Sequence, residues 1–353
     1  MTLDHHQYDK LKINGSFLER YELLQKAKRV KNNPDAPQWE IDLFRFIEEW
    51  LEPSEFIQIS TSGSTGTPKM IPVSKKAMLR SAFNTIDFFN LLPGQTALLC
   101  LSCKFIAGKM MVVRALAGNL HLLTIPVSGR PLQTINRPVD FAAMTPLQLS
   151  NAHQASTIFF PKTIILGGSP VSRQLSKALQ DCPSCILETY GMTETLSHIA
   201  LRPVNGPDAS DFFQPMKGVR LSLDNRGCLV IEAEGITKRP VVTNDLAELH
   251  ENGRFRIQGR IDNIINTGGI KVVPEEIENS IAPYMPAPFY ISSVSHPVLG
   301  QELVIITEKE IPEKNEFLKK LKKILPPYHA PRQIIVKTPL PRTETGKIIR
   351  RPF

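Results

Sequence analysis

Four polar segments carry residue types suited to phosphate and carboxylate chemistry. The first is Ser60-Thr61-Ser62-Gly63-Ser64-Thr65-Gly66-Thr67-Pro68-Lys69, which directly follows an apolar run. Small hydroxyl residues interleaved with glycine let the backbone turn tightly and aim N–H and O–H donors at phosphate oxygens. Lys69 adds a point charge. A P-loop would need Gly at 68 and Ser or Thr at 70, and Pro68 and Met70 stand there instead. A flexible Ser/Gly linker is the plain alternative, and the placement between strand-like and helix-like stretches argues against it. The second segment is Tyr190-Gly191-Met192-Thr193-Glu194-Thr195, at the end of a predicted strand. A hydroxyl and a carboxylate leaving one strand end suit a magnesium–nucleotide complex, and they suit a simple strand-to-helix cap equally. The third is Thr243-Asn244-Asp245 with Gly259-Arg260-Ile261-Asp262-Asn263 beyond a hairpin. An aspartate can accept both hydroxyls of a ribose and a nearby arginine can complete the grip, although such a pair is more often plain surface. The fourth is Pro341-Arg342-Thr343-Glu344-Thr345-Gly346-Lys347, a polar loop whose lysine matters only through its company.

The elements that must hold these segments alternate. Residues 16–31 and 40–51 read as helices, 56–60 as a strand and 75–89 as a helix. Runs 96–102, 121–125, 163–168 and 185–191 read as strands, with helices at 107–117 and 172–180 between them. Such alternation predicts an α/β fold: a large N-terminal domain with mixed, substantially parallel sheets and helices. Hairpins follow over 218–233 and 245–258, then a Gly-Gly turn, a helix opening at Pro274, a strand pair and a helix over 313–325. The boundary is expected near Ile261–Asp262, giving domains 1–261 and 262–353, the second a small α+β unit.

Composition excludes several classes. Forty-two per cent hydrophobic and 22% charged residues describe an ordinary globular chain. No apolar run reaches the length of a membrane-spanning helix, and the polar start is not the pattern of a secretory signal. Cys100/Cys103 and Cys182/Cys185 have the C-x-x-C spacing of zinc ligands. The pairs lie far apart, however, and the first ends a predicted strand, whose residues i and i+3 face opposite ways. Buried thiols in a reducing cytoplasm are the expectation. The net charge is +8, and residues 317–353 contribute ten Lys and Arg against one acid. The helix Phe317–Leu325 puts apolar residues on one face and four lysines on the other. That face suits either a nucleic-acid or membrane surface or, as the favoured reading, solvent.

Taken in order, STSGSTGTPK, YGMTET, TND, GRIDNIINTGGIKVVPEEIE and PRTETGK resemble the adenylate-forming superfamily of acyl- and aryl-CoA synthetases, peptide-synthetase adenylation domains and luciferases. With TND and GRIDNIINTGG, the chain is most similar to the o-succinylbenzoate–CoA ligases of menaquinone biosynthesis, with a shortened region before the phosphate segment. The resemblance implies ATP, magnesium and coenzyme A as reactants and a small carboxylic acid as substrate, with no nucleic acid and no membrane. It implies that Ser60, Thr61, Ser62, Gly63, Ser64, Thr65, Gly66, Thr67 and Lys69 close over the β- and γ-phosphates. Thr193 would contact the α-phosphate and Glu194 would hold magnesium. Gly167, Gly168, Ser169, Pro170, Tyr190 and Gly191 would flank the adenine, and Asp245 and Arg260 would bind the ribose. Asp262 matches a hinge about which a mobile C-terminal domain turns. Thr267, Gly268, Gly269 and Lys271 would face the thioester step, and Lys347 would bridge carboxylate and α-phosphate. The acyl pocket would draw on Phe105, Ala107, Gly108, Lys109, Arg114, Met192, Ser197 and His198. Among these, Lys109, Arg114, Ser197 and His198 are candidates for a second substrate carboxylate, each with an ordinary packing role as the alternative. One departure stands out: the family's aromatic-x-Thr-Gly-Asp is Val241-Val242-Thr243-Asn244-Asp245 here.

Overall fold

A computed structural model of the chain describes residues 4–60, 70–153, 159–343 and 348–350. Its contacts divide it into two compact units. One comprises residues 1–171, 179–220 and 231–241, the other 172–178, 221–230 and 242–353.

The first unit is built on a nine-stranded sheet. In spatial order the strands are Gln214–Pro215, His198–Pro203, Cys185–Gly191, Thr163–Leu166, Phe141–Met144, Thr96–Leu99, His121–Thr124, Leu11–Ile13 and Ser16–Leu18. The six from Cys185–Gly191 to Leu11–Ile13 run parallel, and antiparallel pairs close both edges. Parallel strands covered on both faces must be apolar throughout, which is why Phe141–Met144 is buried at every position. That strand and the helix Pro146–His153 after it were not expected from the sequence, because Phe-Ala-Ala-Met is a weak β signal. The strand Phe56–Ser60 departs in another way. It lies outside the large sheet and pairs antiparallel with Met70–Ser74, in register Ser60↔Met70. Its burial alternates, with Ile57 and Ile59 inward and Phe56 and Gln58 outward, as a sheet wetted on one face requires.

Helix Ile106–Gly118 is buried along nearly its whole length, including Lys109 and Arg114. Its first turn packs tightly. A methyl group at Gly108 would stand 2.3 Å from the Ser102 carbonyl oxygen, a backbone atom that cannot yield by itself. Gly108→Ala is therefore expected to lower stability by about 2–4 kcal/mol, read as a lower urea midpoint with an unchanged m-value. An unshifted midpoint would contradict this packing.

The second unit holds most of the ladder between Val241–Leu249 and Phe255–Arg260. It also holds a five-stranded sheet of Ile270–Val272, Ile265–Thr267, Gly300–Thr307, Phe289–His296 and Gln333–Val336, the last paired parallel to Gly300–Thr307. Helices Pro274–Ile281 and Lys314–Ile324 cover it through Ile277, Ile281 and Leu321. Leu321 and Leu325 are buried while Lys319, Lys320, Lys322 and Lys323 are exposed, so the lysine stripe is the outer face of a packed helix. No helix among the described residues is long and apolar enough to cross a membrane.

Candidate active site

In parallel sheets, ligands gather beyond the carboxyl ends of the strands. The loop after Thr163–Leu166 is Gly167 to Pro170, and the turn after Cys185–Gly191 carries Thr193 and Glu194. The two are held together by Thr189, whose hydroxyl donates to the Leu166 carbonyl at 2.9 Å. A methyl at Gly167 would meet that hydroxyl at 2.8 Å, so only glycine lets the loop leave the strand here. Gly191 is tighter, with a methyl 2.1 Å from the Ser197 carbonyl oxygen. The turn between them, Thr193–Thr195, ends on Leu196 in the left-handed region at φ 64°. Thr195, buried and not singled out from the sequence, ties this turn: its hydroxyl accepts from the Met192 N–H at 3.0 Å and lies 2.8 Å from the Ser197 carbonyl. Thr193 is buried, Met192 half-buried and Glu194 exposed.

Behind Gly191 sits a buried polar cluster. Arg114 is 1% exposed, and its Nε donates to the Thr85 hydroxyl at 3.2 Å and its NH2 to the Ser197 hydroxyl at 2.7 Å. NH1 donates to the Met111 sulfur at 3.6 Å. His198 lies 3.3 Å from both hydroxyls. None of these partners is an anion. Burial pushes the Arg114 guanidinium down to about 9, still charged at neutral pH. Burial first, and then Arg114, hold His198 well below its usual range and therefore neutral. Lys109 is not part of this cluster. It pairs with Glu49 at 3.3 Å and lies over the Phe46 ring at 4.7 Å. Phe105 caps the start of the helix, Ala107 is exposed in its first turn, and Gly108 is buried. Thr85, a helix-interior residue, gave no sign in the sequence of belonging here.

In the second unit Asp245 and Arg260 stand opposite each other in the ladder. Arg260 NH1 donates to Asp245 at 3.1 Å and NH2 to Asp262 at 2.8 Å. Asn244, where the family has glycine, donates its amide to both Asp262 oxygens at 3.1 Å. The Arg260 hydrogen bond, more than the opposing effect of burial, holds the Asp262 carboxyl below the usual carboxylate range, and Asn244 adds to it. Thr267 is buried at the end of its strand. Gly268 and Gly269 make the following turn at φ 59° and 85°, and Lys271 is exposed on the next strand. Ser60 ends its strand, while Thr61 to Lys69 and Lys347 lie outside the described residues.

The cysteines form no disulfide among the described residues. Burial pushes the thiols of Cys100 and Cys103 up to about 12, so neither is a ready metal ligand. Cys185 departs from the expectation of buried thiols: it is exposed, at the first position of its strand. The metal-ligand cluster found among the described residues is Asp4, His5 and His6, with ligand atoms within 4.8 Å of one another.

The family described as AMP-binding enzyme matches residues 4–233. The crystal structure of an acyl-CoA synthetase (AMP-forming)/AMP-acid ligase II-like protein from Dyadobacter fermentans is 33% identical. It has a TM-score of 0.61 over 91% of this chain and 95% of that one. The 2-succinylbenzoate–CoA ligase of Escherichia coli K12 is 26% identical over 71% of this chain and 55% of the relative, so the chain spans little more than half of that protein's length. A probable 2-succinylbenzoate–CoA ligase of Mycobacterium tuberculosis is 25% identical over 86% of this chain and 85% of its own. O-succinylbenzoate coenzyme A synthetase from Bacillus subtilis, in complex with ATP and magnesium ion, shares the fold at 16% identity. Its TM-score is 0.76 over 96% of this chain and 95% of that one. The large parallel-rich sheet with its helices matches the adenylate-forming fold, and the chain belongs to the AMP-binding enzyme family.

Proposed function

We propose that the protein is an ATP-dependent, AMP-forming carboxylate–CoA ligase acting on o-succinylbenzoate. The observation that carries the substrate is Arg114: among the described residues, a buried cation hydrogen-bonded only to neutral groups, beside the half-buried Ser197. A charge held away from water without a counter-ion is costly, and a dicarboxylate substrate supplies the missing anion. A monocarboxylate would leave it unpaired.

The chemistry follows from the charges involved. A carboxylate is a poor electrophile, so its oxygen attacks the α-phosphorus of ATP, the bond to the β-phosphate oxygen breaks, and pyrophosphate leaves. Lys347 and the Thr193 hydroxyl would face the charge that builds on the α-phosphate. Glu194, an exposed hard oxygen donor at the strand end, fits magnesium, which when bound would neutralise phosphate charge. Gly167 to Pro170 and Tyr190 would flank the adenine, and Asp245 and Arg260 would take the ribose. In the second step the CoA thiol, losing its proton, attacks the acyl carbonyl and AMP leaves. Turning about Asp262 would withdraw Lys347 and bring Gly268, Gly269 and Lys271 to the thioester step.

ATP, magnesium, CoA and o-succinylbenzoate together are expected to give AMP, pyrophosphate and the thioester, followed by chromatography. Appearance of ADP, or thioester formation that favours monocarboxylic fatty acids, would contradict the reading. Asp245→Asn weakens the ribose grip and leaves Arg260 with one fewer anionic partner. A hydrogen bond to a charged group contributes about 1.5–3 kcal/mol, so the KM for ATP is expected to rise roughly 10- to 100-fold with the KM for CoA unchanged. An unchanged KM for ATP would remove Asp245 from the site.

A further inference from the structure

Buried Glu188 and half-buried Arg202 form an ion pair that none of the roles above uses. Glu188 is 5% exposed and lies on the strand that carries Tyr190. Arg202 donates Nε and NH2 to its Oε2 at 2.8 and 2.5 Å. The other oxygen, Oε1, accepts the backbone N–H of Val171 at 3.2 Å, immediately after Gly167-Gly168-Ser169-Pro170. Arg202 also reaches the second flank: its guanidinium carbon is 5.4 Å from the Phe213 ring centroid, and that ring is 5.9 Å from the ring of Tyr190. Its NH1 is anchored on the Ser210 carbonyl at 2.8 Å.

One carboxylate thus holds the glycine loop on one side and, through Arg202 and Phe213, the tyrosine on the other. We propose that Glu188 and Arg202 are the positioning pair for the adenine of ATP, setting the gap between the Gly167–Pro170 loop and Tyr190. The proposal rests on the reading that these two flank the base. A carboxylate is required because both its ends must accept, one from Val171 and one from the arginine fork. Glutamine has the same shape, but its amide turns one of those ends into a donor facing a donor. A buried ion pair adds little net stability against an apolar replacement; its contribution here is directional.

The test is nucleotide binding by calorimetry on the full chain, with a non-hydrolysable ATP analogue and with tripolyphosphate, which has no base. Glu188→Gln, and independently Arg202→Lys, which keeps the charge and loses the fork, are expected to weaken the analogue about 10-fold and tripolyphosphate less than about twofold. Tyr190→Ala separates the levels of the argument. If it weakens the analogue while Glu188→Gln and Arg202→Lys do not, the pair has no positioning role and the adenine assignment stands. If Tyr190→Ala also leaves the analogue unchanged, the adenine assignment falls and the proposal with it. Parallel weakening of analogue and tripolyphosphate in both pair variants reads as general loosening and overturns the proposal.

Discussion

Lys347→Ala is expected to abolish carboxylate-dependent exchange of pyrophosphate into ATP while leaving thioester formation from supplied acyl-adenylate and CoA largely intact. Adenylation brings two anions together, and negative charge grows on the α-phosphate as the new bond forms. A single preorganised donor aimed at such charge is worth on the order of 100- to 1000-fold in rate. The second half-reaction expels AMP from a mixed anhydride already formed, and a lysine lying between carboxylate and phosphate has no part in it. Misfolding would depress both half-reactions, so the ratio of the two rates carries the result. Equal loss of both would remove Lys347 from the role assigned to it.

Arg114→Met is expected to separate catalysis from stability. The KM for o-succinylbenzoate should rise on the order of 100-fold or more, since an ion pair formed away from water is lost. Benzoate, lacking the second acid, should be used no worse than before. The fold itself should not suffer, because methionine fills the helix interior and removes a buried charge that has no anionic partner among the described residues. The sign can be checked against pH. Burial lowers Arg114 in the fold to about 9, well below its ordinary value, so its cost is full below pH 9 and shrinks as pH rises above it. Across pH 6–8 the variant's urea midpoint should therefore equal or exceed that of the parent by a constant margin. A large drop in midpoint, or parallel losses for both acids, would make Arg114 a packing residue.

The sequence made the Asp245–Arg260 pair legible because a hairpin brings it together. Glu251-Asn252-Gly253 turns the chain so that Asp245 and Arg260, fifteen residues apart, fall in register. The parallel strands were legible as short apolar runs alternating with helix-like stretches, as in Thr163–Leu166. Phe56–Ser60 was legible as a strand but not its partner, although its alternation of Ile with Phe and Gln fits a half-wetted antiparallel pair. Of the surroundings of Arg114, Ser197 and His198 came from the resemblance, and Thr85 was out of reach. The partners Thr85 and Ser197 lie 29 and 83 residues from Arg114, and only packing of helix on helix and strand joins them. The Glu188–Arg202 pair escaped for the same reason, since two antiparallel strands must register before a carboxylate meets a guanidinium. Charge was readable as a total, and the lysines of Lys314–Ile324 lie on the exposed face of a packed helix, as the sequence reading favoured.

The central claim, that this chain activates a dicarboxylic acid as its adenylate, is tested most directly by pyrophosphate exchange into ATP in the absence of CoA. With o-succinylbenzoate present, labelled pyrophosphate should enter ATP at a rate that saturates with the acid and requires magnesium. Exchange that proceeds equally well without any carboxylate, or that never exceeds background with this acid while a fatty acid supports it, would contradict the account.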